Sequence, residues 1–152
     1  MSCFFDTNVL VYVFDRNESV KQMHAQDLIA QHMSARDMVL STQVLQELYV
    51  TLTRKKHLGP ADALEVVTTF AQERIVPATA ELVLRGLALG QQRSLSAWDS
   101  LIVQAALDAG CTTLYSEDFQ DGMRFDGELV VVNPFVLHAH ENVAAAPRRR
   151  RR

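Results

Sequence analysis

Ser2-Cys3-Phe4-Phe5-Asp6-Thr7-Asn8-Val9-Leu10 opens the chain with an apolar run that breaks on three polar residues and then resumes. Residues 2–5 predict a short strand, and Asp6-Thr7-Asn8 predicts a turn or helix cap directly at its end. The next apolar run, Val9 to Phe14, continues as a helical or extended segment. Beyond it, residues 19–34 carry Val20, Met23, Leu28, Ile29 and Met33 at broadly helical spacing. Residues 38–40 predict a second strand. Ser41 or Thr42 then caps a helix running to about residue 56 and closed by Gly59-Pro60. A helix over 61–72 leads to a third strand at Ile75 and Val76. Thr79 or Ala80 begins a helix ending near Gly90, and Ser96 caps the next, which stops at Gly110. Residues 112–115 and 129–132 predict strands four and five. Strands separated by helices give an α/β domain with a mostly parallel sheet of about five strands, covered on both faces through right-handed crossovers.

The 152 residues suit one domain, expected over 1–143, and no internal repeat is visible. Hydrophobic residues at 48% and charged residues at 22% are ordinary for a packed core and argue against disorder. The longest apolar run is six residues, Val9 to Phe14, so no membrane helix of about 20 residues is expected. The first residues offer no basic stretch or signal-peptide core, so a cytoplasmic protein is expected. Cys3 and Cys111 sit in apolar, strand-like contexts and read as buried free thiols of a reducing compartment.

Net charge hides an asymmetry. The total is −3, but five arginines form the terminal run Arg148 to Arg152. Without them, ten basic residues stand against 18 acidic ones, a balance of −8. A broad basic face for gripping nucleic acid is excluded. If phosphate is the target, a divalent cation must bridge it to carboxylates. The biased tail 144–152, with Pro147 at its root, is expected to be disordered.

Four carboxylates occupy one topological position. Asp6 follows strand one, Glu47 lies early in the helix after strand two, Asp99 opens the helix before strand four, and Asp118 follows that strand. Residues beyond the carboxyl ends of strands in an open α/β sheet converge on one crevice. Four acids there repel one another unless a cation neutralises them, and oxygen-only ligands suit Mg²⁺ or Mn²⁺. Each acid also has a structural reading. Asp6 can cap a helix, Asp118 can belong to a turn, and Glu47 can be a solvated helix glutamate at the edge of the Val44-Leu45-Leu48-Leu52 stripe. Asp99 projects toward the apolar neighbours Ile102, Val103 and Ala106, or else forms a capping box with Ser96.

Asp6-Thr7-Asn8-Val9-Leu10 with Glu47 in Val44-Leu45-Gln46-Glu47-Leu48 resembles the opening of a PIN domain. Trp98-Asp99-Ser100-Leu101-Ile102-Val103-Gln104-Ala105-Ala106 is similar to its central helix, and Leu114-Tyr115-Ser116-Glu117-Asp118-Phe119-Gln120-Asp121-Gly122 to its last acidic loop. Order, spacing and length resemble the VapC-like ribonuclease toxins of bacterial toxin–antitoxin pairs, over residues 2–135. The resemblance implies a three-layer α/β/α fold, Mg²⁺ or Mn²⁺ dependence, endoribonuclease activity on RNA, and a homodimer restrained by a cognate antitoxin. It places the family's four acids on Asp6, Glu47, Asp99 and Asp118, and its small hydroxyl positions on Thr7 and Ser116. With that chemistry, Asp6 and Asp99 are the principal metal carboxylates. Glu47 and Asp118 ligate directly or through water, and Thr7, Asn8 and Ser116 orient water or phosphate oxygens. The terminal arginines lie outside the family pattern.

Competing chemistries find less support. His24, His32, His57, His138 and His140 show no His-Glu-x-x-His pattern for zinc, and neither cysteine stands beside a histidine in a recognised arrangement. Six scattered glycines make no phosphate loop. A phosphatase or receiver domain would share the fold, but Asp6-Thr7-Asn8 lacks the second aspartate two positions on. Arg54-Lys55-Lys56 either complements the negative end of its helix or contacts RNA phosphates beside the acids. A non-catalytic PIN-like module that binds RNA or protein is the alternative from another functional class.

Overall fold

Strand β1 (Cys3–Phe5) pairs in parallel with β2 (Met38–Ser41) on one edge and β4 (Thr113–Tyr115) on the other. All three of its residues are buried, because a central strand covered on both faces has no solvent side. The computed structural model describes residues 1–136, so the expected tail 144–152, His138 and His140 lie outside the described residues. The full sheet has six strands in the order β3-β2-β1-β4-β6-β5, with β3 (Arg74–Val76) on one edge. β6 (Leu129–Val132) is parallel to β4, and β5 (Arg124–Phe125) is antiparallel to β6.

That sixth strand exceeds the five expected. A two-residue strand carries no periodicity to read. The hairpin does have a local signature in Asp126-Gly127, whose φ values of 49° and 77° supply the left-handed turn between β5 and β6.

Helices α1 (Thr7–Tyr12) and α2 (Ser19–Ala35) connect β1 to β2, and α3 (Thr42–Arg54) and α4 (Pro60–Phe70) connect β2 to β3. The chain then returns across the sheet through α5 (Ala80–Arg93) and α6 (Ala97–Asp108) to β4. Right-handed crossovers in opposite directions put the first four helices on one face and the last two on the other. The result is the expected three-layer α/β/α arrangement around a mostly parallel sheet.

Local sequence accounts for most of these elements. The Ser41 hydroxyl accepts from the Val44 N–H at 3.3 Å and starts α3, which buries Val44, Leu48 and Leu52 completely. Ser96 does the same for α6 through the Asp99 N–H at 3.1 Å, and Gly110 at φ 70° follows the helix end. Two expectations change. Helix α5 passes Gly90 and runs to Arg93, where Ser94 turns left-handed at φ 55°. Gly90 is a packing residue instead, since a Cβ there would lie 2.8 Å from the Ser100 hydroxyl of α6. In α2 the core face is Ala25, Ile29 and His32, while Val20 and Met23 are exposed. Cys3 and Cys111 are buried free thiols, and burial pushes the Cys111 thiol up to about 12. Among the described residues, no helix is long and apolar enough to cross a membrane.

Candidate functional site

The chain steps outward from β1 to β3 and comes back to β4 on the other side of β1, which makes the β1/β4 junction the switch point of the sheet. Asp6 leaves β1 there, its N–H donating to the Tyr115 carbonyl at the end of β4 at 2.9 Å. Its side chain is 4% exposed. Oδ1 accepts the Thr7 N–H at 2.7 Å, so Asp6 caps α1 as well as facing the junction. Oδ2 accepts the Ser116 hydroxyl at 2.7 Å and the Asn8 amide at 3.3 Å. Burial is the largest influence and pushes the Asp6 carboxyl up to about 7. The bonds from Ser116 and Thr7 oppose the rise, and the charges of Asp118 and Glu47 add to it.

The other three acids gather around it. Thr7 donates from Oγ1 to Glu47 Oε2 at 2.7 Å, joining α1 to α3. Gln43, one turn before Glu47, donates to Glu47 Oε1 at 2.8 Å and to the Trp98 carbonyl at 3.2 Å. Asn8 donates to Asp118 Oδ2 at 2.9 Å, and the Ser116 hydroxyl accepts the Asp118 N–H at 3.1 Å. Asp99 is half-buried on the first turn of α6. Burial raises its carboxyl first, the Ser96 hydroxyl lowers it, and the charges of Asp118 and Glu47 raise it again. Glu47 and Asp118 act electrostatically on both Asp6 and Asp99, and Thr7, Asn8 and Ser116 hold Asp6, Glu47 and Asp118 in place, while Asp99 stands on the first turn of α6 without a bond from those three. Gln43 is the member the sequence reading missed. Its signal was the four-residue spacing from Glu47 on one helix.

A groove of about 700 Å³, lined by Glu47 and Asp118 of the four acids, extends along α1 and α3. Its walls include Val11, Val50, Lys55, Lys56 and Trp98. Two further acids line it, and each has a lysine: Lys56 binds Asp15 at 2.7 Å, and Lys21 binds Glu117 at 3.4 Å. The bond from Lys56 holds Asp15 below its usual range. Among the described residues, the lysine and arginine ion pairs go to Asp15, Glu117, Glu81 and Asp108, and to none of the four clustered acids. Of the basic triplet, Lys55 and Lys56 line the groove, whereas Arg54 lies off it in the last turn of α3.

The oxygens at the site are carboxylates and hydroxyls, which suit a hard divalent cation, whereas the Asn8 and Gln43 amides turn their NH2 groups to the carboxylates. A carboxyl raised first by burial and then by like-charged neighbours is the chemistry such an ion relieves. Among the described residues, the one group of three whose ligand atoms lie within 4.8 Å of one another is Cys3, His32 and Asp37, at the opposite ends of the strands; the four acids stand further apart than that. There Nδ1 of His32 is 2.7 Å from Asp37 and Nε2 is 3.3 Å from the Tyr115 hydroxyl. Both ring nitrogens are thus engaged in hydrogen bonds, and the cluster reads as a satisfied core histidine.

The family model described as PIN domain matches residues 3–120. No curated protein sequence matches the chain. Among solved structures, the chain is similar to a toxin–antitoxin complex from Klebsiella pneumoniae, with 24% identity, a TM-score of 0.62, and 88% of this chain and 98% of that one covered. It is also similar to a sarcin–ricin loop cleaving VapC toxin from Mycobacterium tuberculosis, at 19% identity and TM-score 0.60, covering 74% and 87%. A third is a VapBC complex from Rickettsia felis bound to promoter DNA, at 18% and 0.62, covering 88% and 98%. At these identities the likeness is one of fold.

Proposed function

The chain belongs to the PIN-domain family, and from that premise we propose that it is a divalent-metal-dependent endoribonuclease, the toxin of a toxin–antitoxin pair. The observation that carries this reading is the contrast in the groove. Asp15 and Glu117 each have a lysine, while the four clustered acids have one another. A fold that neutralises two wall acids internally and leaves four others facing together suits a cation from solution.

Asp6 and Asp99 would hold Mg²⁺, or Mn²⁺ in its place, with Glu47 and Asp118 as direct or water-mediated ligands. When bound, the cation supplies charge neutralisation at the phosphodiester and acidification of the attacking water. The chain's own residues supply orientation. The Thr7 hydroxyl fixes the rotamer of Glu47 and the Ser116 hydroxyl that of Asp6, and the Asn8 amide ties Asp6 to Asp118. Lys55 and Lys56 on the groove wall would meet phosphates flanking the scissile one. The neighbours described as toxin–antitoxin complexes support a cognate antitoxin as partner; a homodimer and action in the cytoplasm complete the proposal.

The test is cleavage of total cellular RNA at low salt, in Mg²⁺, in Mn²⁺ and in chelator, with Asp6→Asn and Asp99→Asn in parallel. Discrete fragments that require metal and vanish in both variants are expected. Uncut RNA together with no metal binding would replace this reading with that of a non-catalytic PIN-like module.

A further inference from the structure

Trp98 is the only tryptophan in the chain and lies 67% exposed, one residue before Asp99. Of the exposed large hydrophobic side chains, Trp98 and Val50 line the groove that also holds Glu47 and Asp118. The position of Trp98 is braced. Its carbonyl accepts from Gln43 Nε2 at 3.2 Å, and the same amide donates to Glu47 at 2.8 Å. The backbone that carries the indole is therefore braced against the residue that holds Glu47, on a helix and not on a loop. In the same groove, Lys56 is held by Asp15, whereas exposed Lys55 is in none of the described ion pairs.

Resting on the ribonuclease reading above, we propose that Trp98 is a stacking platform for an unpaired nucleobase next to the scissile phosphate. The role assigned to Trp98 is to take a base that is not already stacked in a duplex. An aromatic face, a cation and a metal-ligating carboxylate set in one groove are the three surfaces a single strand needs: one for a base, one for a flanking phosphate, one for the reacting phosphate. Bases in an A-form duplex are already stacked on their neighbours and cannot also cover an indole, so a duplex gains nothing from Trp98. The apolar wall at Val11 and Val50 suits the same splayed base.

Because Trp98 is the sole tryptophan, its fluorescence reports on the indole directly. Cleavage-deficient Asp6→Asn protein in Mg²⁺ is titrated with a single-stranded oligoribonucleotide and with a duplex of equal length. Quenching by the single strand and not by the duplex is expected. Anisotropy of labelled RNA, measured in the same background, should show Trp98→Ala weakening binding on the order of tenfold or more, with Trp98→Phe within about threefold of the parent. In the otherwise wild-type protein, Trp98→Ala should raise KM more than it lowers kcat.

Failures separate cleanly. If wild-type protein cleaves RNA but the emission does not change and Trp98→Ala binds as well as the parent, the stacking role is overturned and the ribonuclease reading stands. Equal quenching by duplex overturns the role of Trp98 as a platform for an unpaired base. A changed oligomeric state of Trp98→Ala by light scattering, with RNA affinity unchanged, assigns the indole to a protein interface and also overturns the proposal. If wild-type protein neither binds nor cleaves RNA, the parent reading fails and this one falls with it.

Discussion

Asp6 is an acid whose folded state favours the neutral form, so the metal-free protein should lose stability as pH rises. Its carboxyl is raised by burial from 3.8 to about 7. A raised acid keeps its proton in the folded state after the unfolded chain has lost it. Its contribution is therefore fully present below pH 3.8 and declines until the folded group ionises near pH 7. Each pH unit in that window costs about 1.4 kcal/mol, so two units, from about pH 5 to about pH 7, remove roughly 3 kcal/mol. For a chain of this size that is a fall in Tm of about 6–12 °C. Other groups titrate too, so the measured quantity is the difference in Tm between Asp6→Asn and wild type, in chelator, across pH 5 to 8. Asn carries no titrating charge, and its altered hydrogen bonds give a pH-independent offset. The variant should gain on wild type by about 6–12 °C over that range, and Mg²⁺ should abolish the trend by giving the ionised carboxylate a partner. A difference constant to within about 2 °C would refute the reasoning, because Asp6 would then ionise as an ordinary surface carboxylate.

Asp99 is raised for the same reasons, burial first and then the charges of Asp118 and Glu47. In chelator near neutral pH, Asp99→Asn should raise Tm, and saturating Mg²⁺ should reverse the order; a lower Tm in chelator would favour a purely capping role. Thr7→Val keeps the shape but removes the donor that holds Glu47 at 2.7 Å. Calorimetric titration should show Mg²⁺ affinity about 10–100-fold weaker, with the fold retained by circular dichroism. Gly90→Ala separates packing from helix propensity. Propensity alone gives a gain of about 1 kcal/mol, but the new Cβ meets Ser100 at 2.8–2.9 Å. Overpacking of roughly 1–3 kcal/mol should therefore appear as a lower Tm in thermal melts.

Much of the α/β order was legible because its signals are local. Ser41, Thr79 and Ser96 each accept an N–H from the first turn of the helix that follows, and a cap acts within three residues. The Val44, Leu48 and Leu52 stripe buries as its spacing says. Where reading failed, a long-range contact had overruled a local habit. Gly90 looks like a terminator, yet α6 packs against it and the helix continues. Val20 and Met23 look like core but are exposed, while Ile29 of the same expected set is buried beside Ala25 and His32, and Leu28 and Met33 pack against the core. Strand β5 is too short to show a period, and the Asp126-Gly127 turn was its only local mark.

The candidate site divides in the same way. The sequence by itself determined that four acids stand at the ends of elements around a parallel sheet, because strand ends and helix starts are punctuated by neighbouring residues. Only the tertiary structure decided which of them are buried, and what holds them. The return of the chain from β3 to β4 sets Ser116 against Asp6 across 110 positions of sequence, and the packing of α1 on α3 sets Thr7 against Glu47 across 40. The same packing gives lysines to Asp15 and Glu117 and none to the four. It also places Trp98 on the groove. Desolvation and ion pairing depend on what lies within a few ångströms in space, and for these residues that neighbourhood is assembled from distant parts of the chain.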